Sequence, residues 1–186
     1  QEQINDLIIA RAKSHGHVVR LKGGDPFIFG RGAEEMQVAA AAGLEVAVVP
    51  GISSSLAVPA YQNIPLTKRG SSESFWVITG TTKAHKISND IKLAAQSSAT
   101  VVILMGMSKL AEITALFRAS GKKDTPVAII QDGTTSKERI GVGTVDTIET
   151  VVQELKLTNP SIIVIGEVVK HREQLLNLQL EIAQNA

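Results

Sequence analysis

"VVRLKGGDPFIFGRGAEEM", Val18 to Met36, is the stretch on which the reading of this chain turns. A β-branched apolar run feeds Gly23 and Gly24, then Asp25 and Pro26. Phe27, Ile28 and Phe29 follow, then Gly30-Arg31-Gly32, and Glu34 and Glu35 open a helical pattern where the macrodipole favours acids. A strand that ends on paired glycines lets a ligand approach the backbone closely and meet its N–H groups. Gly-Gly-Asp-Pro by itself is most often just a tight turn. No Lys-Ser/Thr pair closes a P-loop here, and G-x-G-x-x-G is absent; the partial match in "GVGTVD", Gly141 to Asp146, reads as chance. Asp25 can cap the turn or accept hydrogen bonds from a ligand amine or hydroxyl. Arg31 is either a solvated helix-entry residue or a ligand contact.

Outward from this stretch, helical and strand patterns alternate. Ile4, Leu7, Ile8 and Ala12 share a helix face, and Val18–Leu21 reads as a short buried strand. A helix over 33–42 capped by Gly43, a strand in "EVAVVPG" and a short helix in "ISSSLAVPAY", with Ser53 as N-cap, complete a first half. "NIPLTKRGSSES", rich in Pro, Gly and Ser, reads as a linker. Strands are predicted at 75–79, 100–105, 126–130 and 162–165, helices at 90–96, 109–119 and 147–155, and an extra strand with glycine bends at 139–145. The tail after Arg172 reads equally as a final helix or a frayed end. Continuous apolar strands between helices predict α/β domains with mostly parallel sheets covered on both faces. The boundaries expected are 1–66, a linker at 67–74, a second domain at 75–172 and a tail at 173–186.

In parallel α/β sheets ligands bind outside the carboxyl ends of the strands. "GGDP", "PGISS", "TGTT", "MGMS" and "QDGTTS" all follow predicted strands, which suggests that they line one cleft. Bulk properties narrow the ligand. The 186 residues carry a net charge of +1 and only 3% aromatics, which gives no field for nucleic acid and few rings for base stacking. No cysteine is present, which removes thiolate metal sites and disulfides and fits a reducing compartment. His15, His17, His85 and His171 show no metal spacing beyond His15-x-His17. Ser53 to Ser55 lack a paired His and Asp, which argues against a serine hydrolase. No apolar run is long enough to span a membrane, and the polar start at Gln1 without a leader pattern reads as a beginning inside a longer protein.

The ordered set "VVRLKGGDPFIFGRGAEE", "VVPGISSSLAVPAYQNIPLTKRG", "VITGT", "MGM", "PVAIIQDGTT" and "NPSIIVIGEVV" resembles the uroporphyrinogen-III C-methyltransferases of the tetrapyrrole methylase superfamily. These also form the methylating half of siroheme synthase, and the resemblance runs to about Arg172. It implies two α/β domains with S-adenosylmethionine in the cleft between them, and methyl transfer to ring carbons of uroporphyrinogen III, giving precorrin-2 for siroheme or cobalamin. A cytoplasmic homodimer without metal, nucleic acid or membrane partner is implied too.

Carried over residue by residue, the family's cofactor contacts fall on Gly23, Gly24, Asp25, Ile28, Ser53, Ser54, Met105 and Gly133. A sulfonium donor already carries an activated methyl, so the protein has to position it rather than activate it. The carboxylate-rich substrate needs cations, for which Arg31, Lys68 and Arg69 are the candidates. Departures exist: Lys68 stands where the family has His, Thr81 replaces another His, and Ser54 replaces a common alanine. The family's first strand, its "GPGD" loop and its proton-accepting Asp and proton-donating Lys correspond to positions before Gln1. No catalytic residue is therefore assigned, and the chain as given is expected to be inactive. Two alternatives stand beside this reading: a superfamily member acting on another corrinoid precursor, diphthamide or ribosomal RNA, and a cofactor-binding remnant without catalysis.

Overall fold

The structure is a computed structural model that describes residues 1–184. The chain divides into two compact units, Gln1–Ser53 and Ser54–Ala186.

The second unit is built on a five-stranded sheet. Its strands are β1 (Phe75–Thr79), β2 (Thr100–Leu104), β3 (Pro126–Gln131), β4 (Arg139–Thr144) and β5 (Ser161–Ile165), in the order β1-β2-β5-β3-β4. Only β1 and β2 pair in parallel; β2–β5, β5–β3 and β3–β4 are antiparallel. The expected mostly parallel sheet is therefore corrected to a mixed one. The apolar runs that suggested parallel pairing report burial on both faces, and a central antiparallel strand buried on both faces gives the same signal. Because β5 runs backwards between them, β1, β2 and β3 still point the same way, and their carboxyl ends share one edge.

Alternation divides each central strand between two cores. Val101, Ile103, Val127, Ile129, Ile163 and Ile165 face one side, and Val102, Ala128, Ile130, Ile162 and Val164 the other. The first face is covered by α4 (Asp90–Gln96), α5 (Leu110–Ala119) and α6 (Ile148–Glu154); α5 buries Leu110, Ile113, Thr114 and Phe117, the i, i+3, i+4, i+7 stripe of an amphipathic helix. The second face takes Val58 of α3 (Ser54–Tyr61) and Ile64. This packing assigns α3 to the sheet unit. The glycines of β4 serve packing: a Cβ on Gly141 would meet Val151 and Leu157 at 2.9 Å, so α6 lies directly on that strand. The 67–74 segment forms a fixed turn, with Lys68 bridged to Ser72 and the buried Ser72 hydroxyl accepting from the Thr100 N–H at 3.1 Å. After β5 the tail is helical, as α7 (His171–Gln184).

The first unit contains α1 (Glu2–His15) and α2 (Gly32–Ala41). Val18–Leu21 and the "EVAVVPG" segment form neither helix nor strand, a second correction. Their β-branched composition favours extended backbone, yet a ladder needs a partner and neither run has one among the described residues. Val19, Leu21 and Val49 are exposed in consequence. α1 buries no residue; Ile4, Leu7 and Ile8 line an open groove with Val18 and Val19. No helix among the described residues is long and apolar enough to cross a membrane.

Candidate functional site

In the first unit the "GGDP" and "PGISS" loops come together through Asp25. Its carboxylate accepts the Phe27 N–H at 2.9 Å and the Gly51 N–H at 3.1 Å. These amides, Gly51 foremost, hold the carboxyl below the ordinary aspartate range. Of the two roles open to Asp25, the structure gives it the turn-capping one and adds the bracing of a second loop. Gly51 is the glycine that this approach demands, since a Cβ there would lie 2.9 Å from the Gly24 carbonyl oxygen. The sequence reading had singled out Gly23 and Gly24 instead. A Cβ on Gly24 would sit 3.4 Å from the Ile52 oxygen, and one on Gly23 would meet nothing within 4 Å. Space is thus open beside Gly23 for a group that approaches the backbone.

The following turn is tightly wound. Phe29 and Arg31 both adopt left-handed backbone, at φ 55° and 59°, a conformation that non-glycine residues rarely hold. Between and after them, Gly30 and Gly32 fold over Pro26, whose carbonyl would lie 2.6 Å from a Cβ on either and accepts the Gly32 N–H at 2.9 Å. Phe27, Ile28 and Phe29 are left exposed. Arg31 is 55% exposed and pairs with Glu34 at 3.3 Å. Ser53 is buried.

Lys22 and Glu35 both lie within the Val18–Met36 stretch, but their pairing across 13 residues could not be read from it. Glu35, 7% exposed, accepts from Lys22 at 2.8 Å and from Gln1 at 3.0 Å, with Arg20 at 3.4 Å. Burial pushes its carboxyl up, but hydrogen bonds from Lys22 and Gln1 and the charges of Lys22 and Arg20 outweigh it and leave it below the ordinary glutamate range.

In the second unit three glycine loops lie along the edge where β1, β2 and β3 end. The "TGTT" and "MGMS" loops abut: a Cβ on Gly80 would be 2.3 Å from Gly106 Cα, and the Thr81 hydroxyl donates to the Met105 carbonyl at 3.0 Å. Thr81, a departure from the family pattern, therefore acquires a structural role. Met105 has left-handed backbone (φ 55°) and is exposed, contrary to the usual core place of methionine. Gly133 closes on α3, where a Cβ would meet Val58 at 2.4 Å, so packing alone requires a glycine there. Glu138 accepts the Thr134 N–H at 2.6 Å and a bond from Gln62, whose own oxygen accepts from Arg172 at 2.8 Å. Lys68 Nζ lies 2.9 Å from His171 Nδ1, and Arg69 is exposed in the same turn. Ser54, the first residue of α3, is exposed.

A mixed α/β sheet with glycine loops gathered at one strand edge, in a chain that also carries a Gly-Gly-Asp-Pro turn, has the architecture of the small-molecule-binding α/β class. The chain belongs to the tetrapyrrole (corrin/porphyrin) methylases, whose family profile matches residues 1–149. It is 43% identical over 182 residues to the S-adenosyl-L-methionine-dependent uroporphyrinogen III methyltransferase of Methanosarcina barkeri, covering 96% of this chain and 71% of that protein. It is 44% identical to siroheme synthase 1 of Klebsiella pneumoniae over 94% of this chain, but spans only 37% of that longer protein. Among solved structures it resembles the uroporphyrin-III C-methyltransferase of Thermus thermophilus complexed with S-adenosylhomocysteine. That match has a TM-score of 0.79 and 32% identity, covering 91% of this chain and 74% of the other.

Proposed function

We propose that the protein to which this chain belongs is an S-adenosylmethionine-dependent methyltransferase that converts uroporphyrinogen III to precorrin-2. The observation that carries this reading is the 43% identity to a uroporphyrinogen III methyltransferase across nearly the whole chain. The loop geometry supports it: the open backbone at Gly23 and the exposed apolar side chain of Ile28 fit a cofactor held by backbone groups and apolar contact. The proposed contact set is Gly23, Gly24, Asp25, Ile28, Ser53, Ser54, Met105 and Gly133. Asp25 acts in it by fixing the loops, and Gly133 by letting its loop close on α3. When bound, S-adenosylmethionine supplies an activated methyl group, so the demand on these residues is orientation and exclusion of competing nucleophiles.

Arg31, Lys68 and Arg69 are proposed as partners for substrate carboxylates, with Arg31 free to swing from its exposed pairing to Glu34. A homodimer and a cytoplasmic setting belong to the same proposal. The test is methyl incorporation from labelled S-adenosylmethionine into uroporphyrinogen III by the full-length protein. Gly24→Val should abolish most cofactor binding in calorimetry while leaving the fold intact, and Arg31→Ala should raise KM about tenfold at unchanged cofactor affinity. A full-length protein that binds the cofactor but transfers no methyl group to uroporphyrinogen III would overturn the proposed reaction.

A further inference from the structure

The two residues just before and just after the glycine pair are treated very differently. Asp25 is tied to Gly51 and Phe27 through backbone amides. Lys22, at the other end, is 13% exposed and reaches Glu35 in the first turn of α2 at 2.8 Å. Gly23 and Gly24 have no side chains of their own, so the position of their backbone is set from these two ends. The adjacent glutamates of α2 divide the work: Glu34 holds Arg31 beyond the loop and Glu35 holds Lys22 before it. A part-buried pair of this kind is weak evidence for stability, since apolar residues of equal size often do as well or better. What it does supply is direction, because a charge so deeply placed has to keep its partner.

We propose that the part-buried Glu35–Lys22 ion pair is a positioning device for the Gly23–Asp25 loop, fixing the backbone that receives the ligand. For the identity of that ligand it rests on the cofactor reading above. Gln1, the residue before α1, at 3.0 Å and Arg20 at 3.4 Å complete the donors around Glu35, so that the start of α1, the 18–22 segment and α2 are all referred to one carboxylate.

The test uses the full-length protein, Glu35→Gln, and two readouts. The first is hydrogen exchange at the Gly51 amide, which reports the Asp25 contact without any ligand. The second is the affinity for S-adenosylhomocysteine by calorimetry. The expected results are about tenfold faster exchange at Gly51, unchanged exchange at the Ile129 amide of the sheet, and about tenfold weaker binding. Lys22→Arg, which keeps the charge, should restore most of both relative to Lys22→Met, and Lys22→Met reports on the same loop should Glu35→Gln fail to fold. Unchanged Gly51 exchange in Glu35→Gln and Lys22→Met overturns the proposal, as does exchange that accelerates equally throughout the molecule, or a loosened loop with undiminished affinity. If the loop loosens but the unmutated protein binds no S-adenosylhomocysteine, the positioning role stands and the cofactor reading falls.

Discussion

The sheet unit buries Ile103, Ile129, Ile163 and Phe117 almost completely, whereas the largest buried side chain of Gln1–Ser53 is a glutamate. In the first case apolar area removed from water fixes the structure, and its loops hang from a packed edge. In the second, glycine contacts, one braced carboxylate and a cluster of charges set the backbone, while Leu7, Val19, Leu21 and Val49 remain in solvent. The comparison teaches that a loop can have a defined shape without a core beneath it, provided that its ends are tied by charge-assisted hydrogen bonds. It also predicts where mutations will hurt.

The largest difference should come from apolar truncation. Ile163→Ala removes a wholly buried side chain from the middle of the sheet and should cost about 2–5 kcal/mol in urea unfolding. Leu7→Ala, at a position 56% exposed on α1, should change stability by less than about 0.5 kcal/mol. A cost above about 1 kcal/mol for Leu7→Ala would break the comparison, because such a loss requires burial that α1 lacks here.

Glycine substitutions should give intermediate effects and rank the loops. At Gly80 the new Cβ would collide with main chain, 2.3 Å from Gly106 Cα, so Gly80→Ala should cost about 1–3 kcal/mol and shift both loops. Gly51→Ala places its Cβ 2.9 Å from the Gly24 oxygen and should loosen the Asp25 contact more than it lowers global stability. Gly24→Ala, at 3.4 Å, should be tolerated in both respects. Chemical denaturation together with amide chemical shifts at Phe27 and Met107 would establish the order; Gly24→Ala more damaging than Gly51→Ala would reverse the assignment of which glycine the fold requires.

These contrasts also mark what could be read from residue patterns. The helices at 90–96, 110–119 and 148–154 and the strands of the sheet unit follow from apolar periodicity, because burial there is what periodicity records. The extra strand at 139–144 was legible too, although its glycines accommodate α6 rather than bend the backbone. Strand direction was not legible, since β5 carries the same continuous run of Ile and Val that a parallel strand would. Val18–Leu21 misled because β-branched composition expresses a preference for extended backbone, and pairing depends on a neighbour that composition cannot supply. At the site, the Gly-Gly-Asp-Pro turn and the strand-end loops stood out by residue type. The Lys22–Glu35 pairing and the contact of Gly51 with Asp25 did not, because they join residues 13 and 26 apart.

The smallest effect predicted is that of acid. Asp25 has a folded-state pKa lowered by the Gly51 and Phe27 amides, and Glu35 one lowered by its donors against the opposing effect of burial. A carboxyl depressed in this way contributes stability that is fully present above its unfolded pKa, about 4. The contribution is lost as pH falls through the lower folded value. Glu149 of the sheet unit is lowered too, by the Thr114 hydroxyl first, with burial opposing and Arg118 assisting, so both units lose carboxylate contributions in the same acid window. They differ in what remains. The sheet keeps its apolar core, whereas the Gly23–Asp25 loop keeps only glycine contacts once both Asp25 and Glu35 are protonated. On acidification below the ordinary carboxylate range, protection of the Gly51 amide, corrected for the intrinsic exchange rate, should therefore fall while that of the Ile129 amide persists. Asp25→Asn should show the weakened Gly51 protection already at neutral pH, with no further loss in acid from this contact. If Gly51 and Ile129 instead lost protection together along one acid transition, the first unit would owe its shape to the same cooperative core as the sheet, and the contrast drawn between them would not hold.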